Sequence, residues 1–338
     1  MFFGSRLSVG VDLDTDALYW AAVDRKSLQC HLWSKSVVEE RTSREGLPES
    51  ELTIRVRSLL KDCRAAVPSW SRSVASAVGR ECLAGFLELP SLSDRELQVA
   101  VPSAARRQVP YSLDEVSLTY RKVPPLSTGQ EGRTGIFFLA VRKDAVERHK
   151  RLLESVDLDV ASLELVPMAL LREFEHNHGK IEDALALLHV GFDRSHVLLL
   201  RSGEPYFYRS FSPAAADFVY AFQMAAQCSW AEAESHLEEV DARQREVALE
   251  PVLGRWFREL DRSLSGLVRL APEAALKPER LYLSGRRLLP GLAERVAEEI
   301  GLTTRVDGWE RLRPGPGDAI SQAQAAGAKI ALGVALAR

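Results

Sequence analysis

Residues 185–211 read LALLHVGFDRSHVLLLRSGEPYFYRSF, and the fold is decided here. Leu185–Val190 and Ser195–Arg201 are apolar runs, and Glu204–Phe211 alternates aromatic with polar residues. Gly191–Arg194 and Ser202-Gly203 separate them. Short β-rich runs punctuated by Gly and Asp predict antiparallel strands joined by tight turns. The N-terminus repeats the pattern: Leu7–Asp12, Ala17–Val23 and Leu28–Val38 form a second meander whose first turn is Asp12–Asp16. Two copies of one meander predict a duplicated, two-lobed α/β protein, and 338 residues leave room for both lobes.

Outward from each meander the order of elements repeats. After the first, Glu51–Val67 carries Leu52, Val56, Leu59, Cys63 and Val67 at helical spacing, Pro68 ends it, and Ser73–Val78 reads as a strand. Lys143–Val156 is a helix, Leu158–Leu163 a strand and Pro167–Asn177 a helix. After the second, Ser212-Pro213 places Ser at an N-cap and Pro at the first helical position. Ser229–Glu232 is a capping box opening an acidic helix to about Ala242. Pro251–Leu270 carries the apolar stripe Val252, Trp256, Leu260, Leu264 and Leu267. Arg280–Leu283 and Thr303–Val306 are strands, Leu289–Ile300 a helix, and Ile320–Ala337 one Ala-rich helix. The sum is βββαβα twice.

Residues 81–141 interrupt the first copy. Cys82–Leu89 is a strand, Ser93–Glu96 a capping box, and the helix it opens runs through Gln108 past Pro102, which should kink it. Glu115–Val123 and Gly135–Val141 are strands. The expected division is 1–80 with 142–182 as the first lobe, 81–141 as a small inserted α+β subdomain, and 183–338 as the second lobe. A helical insertion at about 213–262 in the second lobe looks trimmed, because the connection from the acidic helix to Pro251 is short.

The totals exclude several classes. A net charge of −3 gives no basic stripe for nucleic acid. Cys30, Cys63, Cys82 and Cys228 lack zinc spacing and read as small buried hydrophobes in a reducing compartment. No apolar run approaches the ~20 residues that cross a bilayer, and Met1–Arg6 is too short for a signal peptide. A cytoplasmic protein is expected, meeting a membrane only through a partner. No metal site is expected: there is no HExxH, and in Glu175–His178 the two histidines at i and i+2 do not share a helical face. GxSxG, Walker A and GxGxxG patterns are absent.

Several stretches resemble one family. Val9–Leu13 is similar to its first phosphate strand, and Leu89–Leu97 to its entry into the inserted subdomain. Arg107–Val116 (RQVPYSLDEV) resembles its "YIPFPLDEV" signature, with Tyr111 for Phe and Ser112 for Pro. Glu259–Leu264 resembles its "E..RSL" helix. Leu283–Gly285 with Leu289–Leu292 is similar to its adenosine loop and following helix, and Ala331–Leu336 to its closing helix. The family is that of PilM, the cytoplasmic actin-like proteins of type IV pilus assembly, related to the division protein FtsA. The matches run nearly end to end and in order. The resemblance implies an α/β fold of the duplicated actin-like (ribonuclease H-like) kind, two-lobed, with the small α+β subdomain inserted in the first lobe.

It also implies a nucleotide cleft, in which two hairpin tips aim backbone amides at phosphates. Candidate contacts are Asp12, Thr15, Gly191, Asp193, Ser195, Ser284 and Gly285, with positive charge from Arg194, Arg286 and Arg287. The departures are severe. The first tip reads Asp12-Leu-Asp14 where Asp-x-Gly is expected, and Tyr19 stands at the lysine position. The second reads His189-Val-Gly191, and imidazole is no substitute for the hard anionic oxygen that holds a magnesium-bound water. The adenosine loop reads Gly285-Arg286-Arg287 in place of three glycines. These changes point to a pseudo-ATPase: no hydrolysis is expected, and the candidate residues are also ordinary turn formers on an inherited fold. ATP with magnesium as a modulator of partner affinity, and filament formation, are the alternatives.

For partners, the family binds the short cytoplasmic tail of a PilN-type inner-membrane protein between the first lobe and its inserted subdomain. That implies an extended segment docked in a groove. Arg106, Arg107, Gln108, Val109, Pro110 and Tyr111 are the expected wall. The plainer alternative makes Val109 and Tyr111 core and Arg106 and Arg107 a solvated face. Cytoplasmic motor ATPases are a further expected contact, with the acidic helix at Glu232–Glu239 a candidate surface. The expected role is a scaffold peripheral to the inner membrane.

Overall fold

The computed structural model describes residues 7–13, 17–24, 26–36, 49–66, 73–77, 82–127, 132–156, 158, 160–270, 277–285, 288–314 and 322–337. In chain order the first elements are β1 (Leu7–Leu13), β2 (Ala17–Asp24), β3 (Gln29–Ser36), α1 (Glu49–Ala66) and β4 (Ser73–Ala77). Then come β5 (Cys82–Pro90), α2 (Asp94–Ala105), β6 (Val116–Val123), β7 (Arg133–Arg142), α3 (Lys143–Ser155), β8 (Val160–Leu165) and α4 (Val166–His178). The second half comprises β9 (Leu185–Val190), β10 (Ser195–Arg201), β11 (Glu204–Phe211), α5 (Ala215–Ala226), α6 (Trp230–Glu239) and α7 (Ala242–Leu270). It closes with β12 (Arg280–Gly285), α8 (Leu292–Ile300), β13 (Thr303–Val306), β14 (Arg313–Pro314), α9 (Gln322–Gly327) and α10 (Lys329–Ala335).

The strands form two sheets of one topology. The first runs β14-β3-β2-β1-β4-β8 and the second β11-β10-β9-β12-β13. In each, an antiparallel meander is followed by two strands added in parallel beside its first member. Every meander strand anticipated from the alternation of residues is present. This is the duplicated ribonuclease H-like topology of the actin fold.

Alternation along β1 places it between two helical layers. Val9, Val11 and Leu13 join a core with Val56 and Leu60 of α1 and Leu153 of α3. Gly10 lies against α10, where a Cβ would collide with the backbone at Ala331 and Ala335. Gly333 makes the same close approach to Ala169 of α4. Small residues thus let α10 lie on the first sheet and α4, although 183–338 reads in sequence as the second lobe. β14 likewise adds to β3, carrying chain from the second sheet back to the first.

The strands β5, β7 and β6 form a separate three-stranded antiparallel sheet in the order β5-β7-β6. Its outer face packs Ile136, Phe138 and Ala140 against Leu97, Val101 and Ala105 of α2. The Ser93–Glu96 capping box is made as expected, with Glu96 Oε2 accepting from Ser93 N at 2.8 Å. Its inner face, Phe86, Phe137 and Leu139, enters the large core shared with the second sheet and α4.

Several helix boundaries differ from the sequence reading: α2 ends at Ala105 rather than Gln108, α8 begins at Leu292 rather than Leu289, and three further differences have a visible cause. α5 begins at Ala215, because Ser195 Oγ donates to the Pro213 carbonyl and keeps Pro213 on the strand side; Asp217 Oδ2 accepts from Ala214 N instead. α7 runs unbroken through Pro251, so the short connection before that proline is part of the helix. Leu249, Val252, Leu253 and Trp256 are buried on both sides of Pro251, which offsets the ~3 kcal/mol a helical proline costs. The last helix is broken at Ala328 (φ −97°, ψ 11°), which turns Lys329 into the interior.

Candidate functional site

The first tip follows β1. Asp12 is 2% exposed and lies opposite Tyr19 in the β1–β2 register. Tyr19 packs against the core beneath α10, alongside Ala21 and Val23. Thr15 and Asp14 lie outside the described residues, as do Arg286 and Arg287.

The second tip turns its polar groups inward. Gly191 N donates to the Arg194 carbonyl at 2.9 Å, closing the turn on itself. The carbonyls of Gly191 and Phe192 accept from Ala215 and Ala216 at the start of α5, at 3.2 and 2.9 Å. Phe192 is fully buried, with its ring 6.3 Å from that of Trp230. Ser195 Oγ accepts from Trp256 Nε1 at 2.9 Å and donates to Pro213 O at 3.0 Å. Its hydroxyl therefore faces the helices of the second lobe. Asp193 and Arg194 are partly exposed, and Arg194 donates to Ser210 O at 2.9 Å.

Next to this tip a buried polar row crosses the sheet. Ser284, His189, His196 and Ser210 are successive cross-strand neighbours on β12, β9, β10 and β11. His189 Nδ1 and Ser284 Oγ share a hydrogen bond of 3.0 Å, and His196 Nδ1 and Tyr208 OH one of 2.9 Å. Gly285 has φ +152°, and a Cβ there would strike the Val190 backbone, so glycine is required by strand pairing alone. The fold brings Asp12, Gly191, Ser195, Ser284 and Gly285 to strand ends of the two sheets, with the serine hydroxyls bonded within the protein.

A wide opening lies elsewhere. A cavity of about 440 Å³ separates the inner face of the inserted sheet from the first lobe. Phe137, Leu139, Val141, Ser117 and Thr119 form its roof; Val146 of α3, Leu163–Leu165 of β8 and Met168 of α4 form its floor. β6 and β8 are each the outermost strand of a sheet, so both present an edge to it. Arg121 and Arg172 stand in its lining. Arg121 is held bidentately by Glu204, at 2.6 and 3.2 Å, and Arg172 by Glu164 at 2.6 Å. Burial opposes the charge on Arg121, but the Glu204 carboxylate outweighs it and raises its pKa.

The six residues expected to wall a groove do not line this cavity. Val109 is buried under α2, and Arg106, Arg107, Gln108 and Pro110 are exposed. Gln108 Nε2 donates to Phe86 O at 3.1 Å. Tyr111, under the Arg142 guanidinium at 5.5 Å, lines a second cavity of about 340 Å³ between β5 and β11.

A buried ionic cluster that the sequence reading missed sits where the lobes join. Lys329 Nζ of α10 donates to Glu173 Oε1 of α4 at 2.8 Å, to Gly308 O at 3.1 Å, and lies 3.1 Å from Asp307 Oδ1. His178 Nε2 is 2.7 Å from the same Asp307 oxygen. Asn177 Oδ1 accepts from the backbone of Glu310, Arg311 and Leu312, fastening α4 to the segment that leads into β14. Burial, reinforced by Asp307, raises the Glu173 carboxyl to about 8 against the pull of Lys329. The available signal was Lys329 itself, the one charge within the apolar run from Ala325 to Ala337. Among the described residues no group of His, Cys, Asp and Glu is arranged to hold a metal ion.

Comparison with known proteins places this geometry. Residues 10–338 match the family model described as type IV pilus assembly protein PilM. Among solved structures, the chain is similar to one titled as a PilM-PilN type IV pilus biogenesis complex. That match is 24% identical, covers 97% of each chain and has a TM-score of 0.81. It is also similar to the ethanolamine utilization protein EutJ from Carboxydothermus hydrogenoformans, at 13% identity over 99% of this chain and 90% of that one, with a TM-score of 0.59. At these identities the likeness is one of fold. No curated protein matches the chain. Among the described residues no helix is long and apolar enough to cross a membrane.

Proposed function

The chain belongs to the PilM family of type IV pilus assembly proteins, and from that premise we propose that it is a scaffold which takes the cytoplasmic tail of a PilN-type inner-membrane protein into the cavity between the inserted sheet and the first lobe. The observation that carries this reading is the cavity itself. Its wall is mainly apolar with a polar margin at Ser117, Thr119, Arg121 and Arg172, and it is large enough for several side chains. It is bordered by the edge strands β6 and β8, which offer main-chain hydrogen bonds to an extended segment. The similar solved structure whose title pairs PilM with PilN supports the choice of partner. Attachment to the membrane is then peripheral, through that partner, and cytoplasmic motor ATPases are the components the scaffold would couple to it.

The nucleotide cleft of the superfamily is inherited without its chemistry. Support comes from Ser195, whose hydroxyl is bonded to Trp256 and Pro213, and from His189, which is tied to Ser284 where a magnesium-organising carboxylate is needed. The residues described at the second tip do not fit a magnesium triphosphate, and no hydrolytic step is assigned to the chain. Calorimetry of the purified protein tests both parts. A synthetic peptide of the cytoplasmic tail of PilN from the same organism is expected to bind, and Mg-ATP in the same cell to give no heat of binding. Absence of peptide binding overturns the scaffold reading, and micromolar ATP binding overturns the second part.

A further inference from the structure

The inserted sheet leaves and rejoins the chain within the first lobe, yet its packing lies with the second. Cys82, Phe86, Val123, Leu126, Phe137 and Leu139 share one core with the second sheet. The Phe86 and Tyr206 rings are 5.6 Å apart, and Tyr206 OH donates to Pro124 O at 3.1 Å. The bidentate Arg121–Glu204 pair closes the same seam, because Glu204 opens β11. The sheet's ties to the first lobe are fewer: α4 borders the same core, α3 follows β7 directly, and Lys143 Nζ donates to Asp114 O at 2.9 Å. The rest of the inner face meets the 440 Å³ cavity. One wall of the cavity is thus fastened to the second lobe, and the opposite wall (β8, α3 and the Met168 end of α4) belongs to the first.

We propose that the inserted sheet moves with the second lobe, so that the cavity is a jaw between lobes whose width, and affinity for its occupant, follow the angle between them. This rests on the reading of the cavity as the partner groove, and it makes that groove the readout of lobe closure. Linkage then requires the reciprocal effect: an occupant that fits one width favours one lobe angle. Glu204 and Tyr206 are positioning residues here, since neither lines the cavity.

Pulsed dipolar spectroscopy on the full chain tests this directly. Spin labels go on exposed positions of the first lobe (Ile54→Cys), the insert (Val99→Cys) and the second lobe (Val247→Cys), in a Cys63→Ser, Cys228→Ser background. The 99–247 distance distribution is expected to be narrower than the 54–99 distribution in the free protein. The Glu204→Gln, Tyr206→Phe double variant is expected to broaden 99–247 and to weaken binding of the PilN tail peptide by about fivefold or more. Adding the peptide is expected to shift 54–99 and 54–247 together while 99–247 stays fixed. A 54–99 distribution as narrow as 99–247, or a double variant that changes neither width nor affinity, overturns the proposal. If the peptide does not bind at all, the scaffold reading falls, and the two widths still decide whether the insert rides with the second lobe.

Discussion

Trp256 and Ser195 are joined inside the second lobe by an indole N–H donated to the serine hydroxyl at 2.9 Å. Removing the hydroxyl leaves a buried indole donor and the Pro213 carbonyl without that partner. Ser195→Ala is therefore expected to destabilise the protein by about 1–3 kcal/mol. The measurement is urea unfolding followed by Trp fluorescence. A loss below about 0.5 kcal/mol, less than even a typical buried hydrogen bond contributes, would show that Ser195 is not bonded in this way.

The Lys329 cluster sets a second expectation. Lys329→Met keeps most of the volume but takes the ammonium away from the Asp307 carboxylate, 3.1 Å distant, and from the Glu173 carboxyl beside it. Breaking one partner of a buried ion pair typically costs about 3–5 kcal/mol, and thermal unfolding of the variant should show a loss of that order. A variant as stable as the parent would mean that Asp307 finds a proton or water in place of the ammonium.

Glu173 also fixes a pH dependence. Its carboxyl is raised in the folded state to about 8, from an unfolded value of 4.5. Between those values the folded protein holds the proton and the unfolded chain does not. This group's contribution is therefore present at low pH and is lost as pH rises through about 8. Stability measured from pH 5 to 8.5 should carry a falling component that Glu173→Gln removes. An unchanged profile in Glu173→Gln would assign the titration to another group.

Much of this fold was legible from local chemistry. Glycine and aspartate turns between β-rich runs marked both meanders, and Ser93–Glu96 and Ser229–Glu232 announced two helix starts that the structure makes. The misses have tertiary causes. Proline at 251 reads as a helix start until one sees Leu249 and Val252 buried on either side of it. Lys329 gives no sign of its partners until α10 is laid on α4. The cavity was the hardest to foresee. β7 is apolar on both faces, with Ile136, Phe138 and Ala140 under α2 and Phe137, Leu139 and Val141 over the opening. No alternation distinguishes the two faces, so the sequence pointed to the polar 106–111 turn, which does not line the cavity.

That difference between faces gives the sharpest test of the partner site. Thr119 lies on β6 in the cavity lining and is exposed, so a larger charged side chain there should leave the fold intact while filling and charging the opening. Arg107 is exposed too, but it lies outside that lining. Thr119→Arg is expected to weaken binding of the PilN tail peptide by tenfold or more, roughly 1.4 kcal/mol, with an unchanged melting temperature. Arg107→Glu is expected to leave the affinity within about twofold, since a surface charge distant from the contact contributes little at physiological salt. Titration calorimetry of the two variants beside the parent reads both. The opposite order, with Arg107→Glu harmful and Thr119→Arg silent, would move the partner to the 106–111 turn and the smaller cavity against β11.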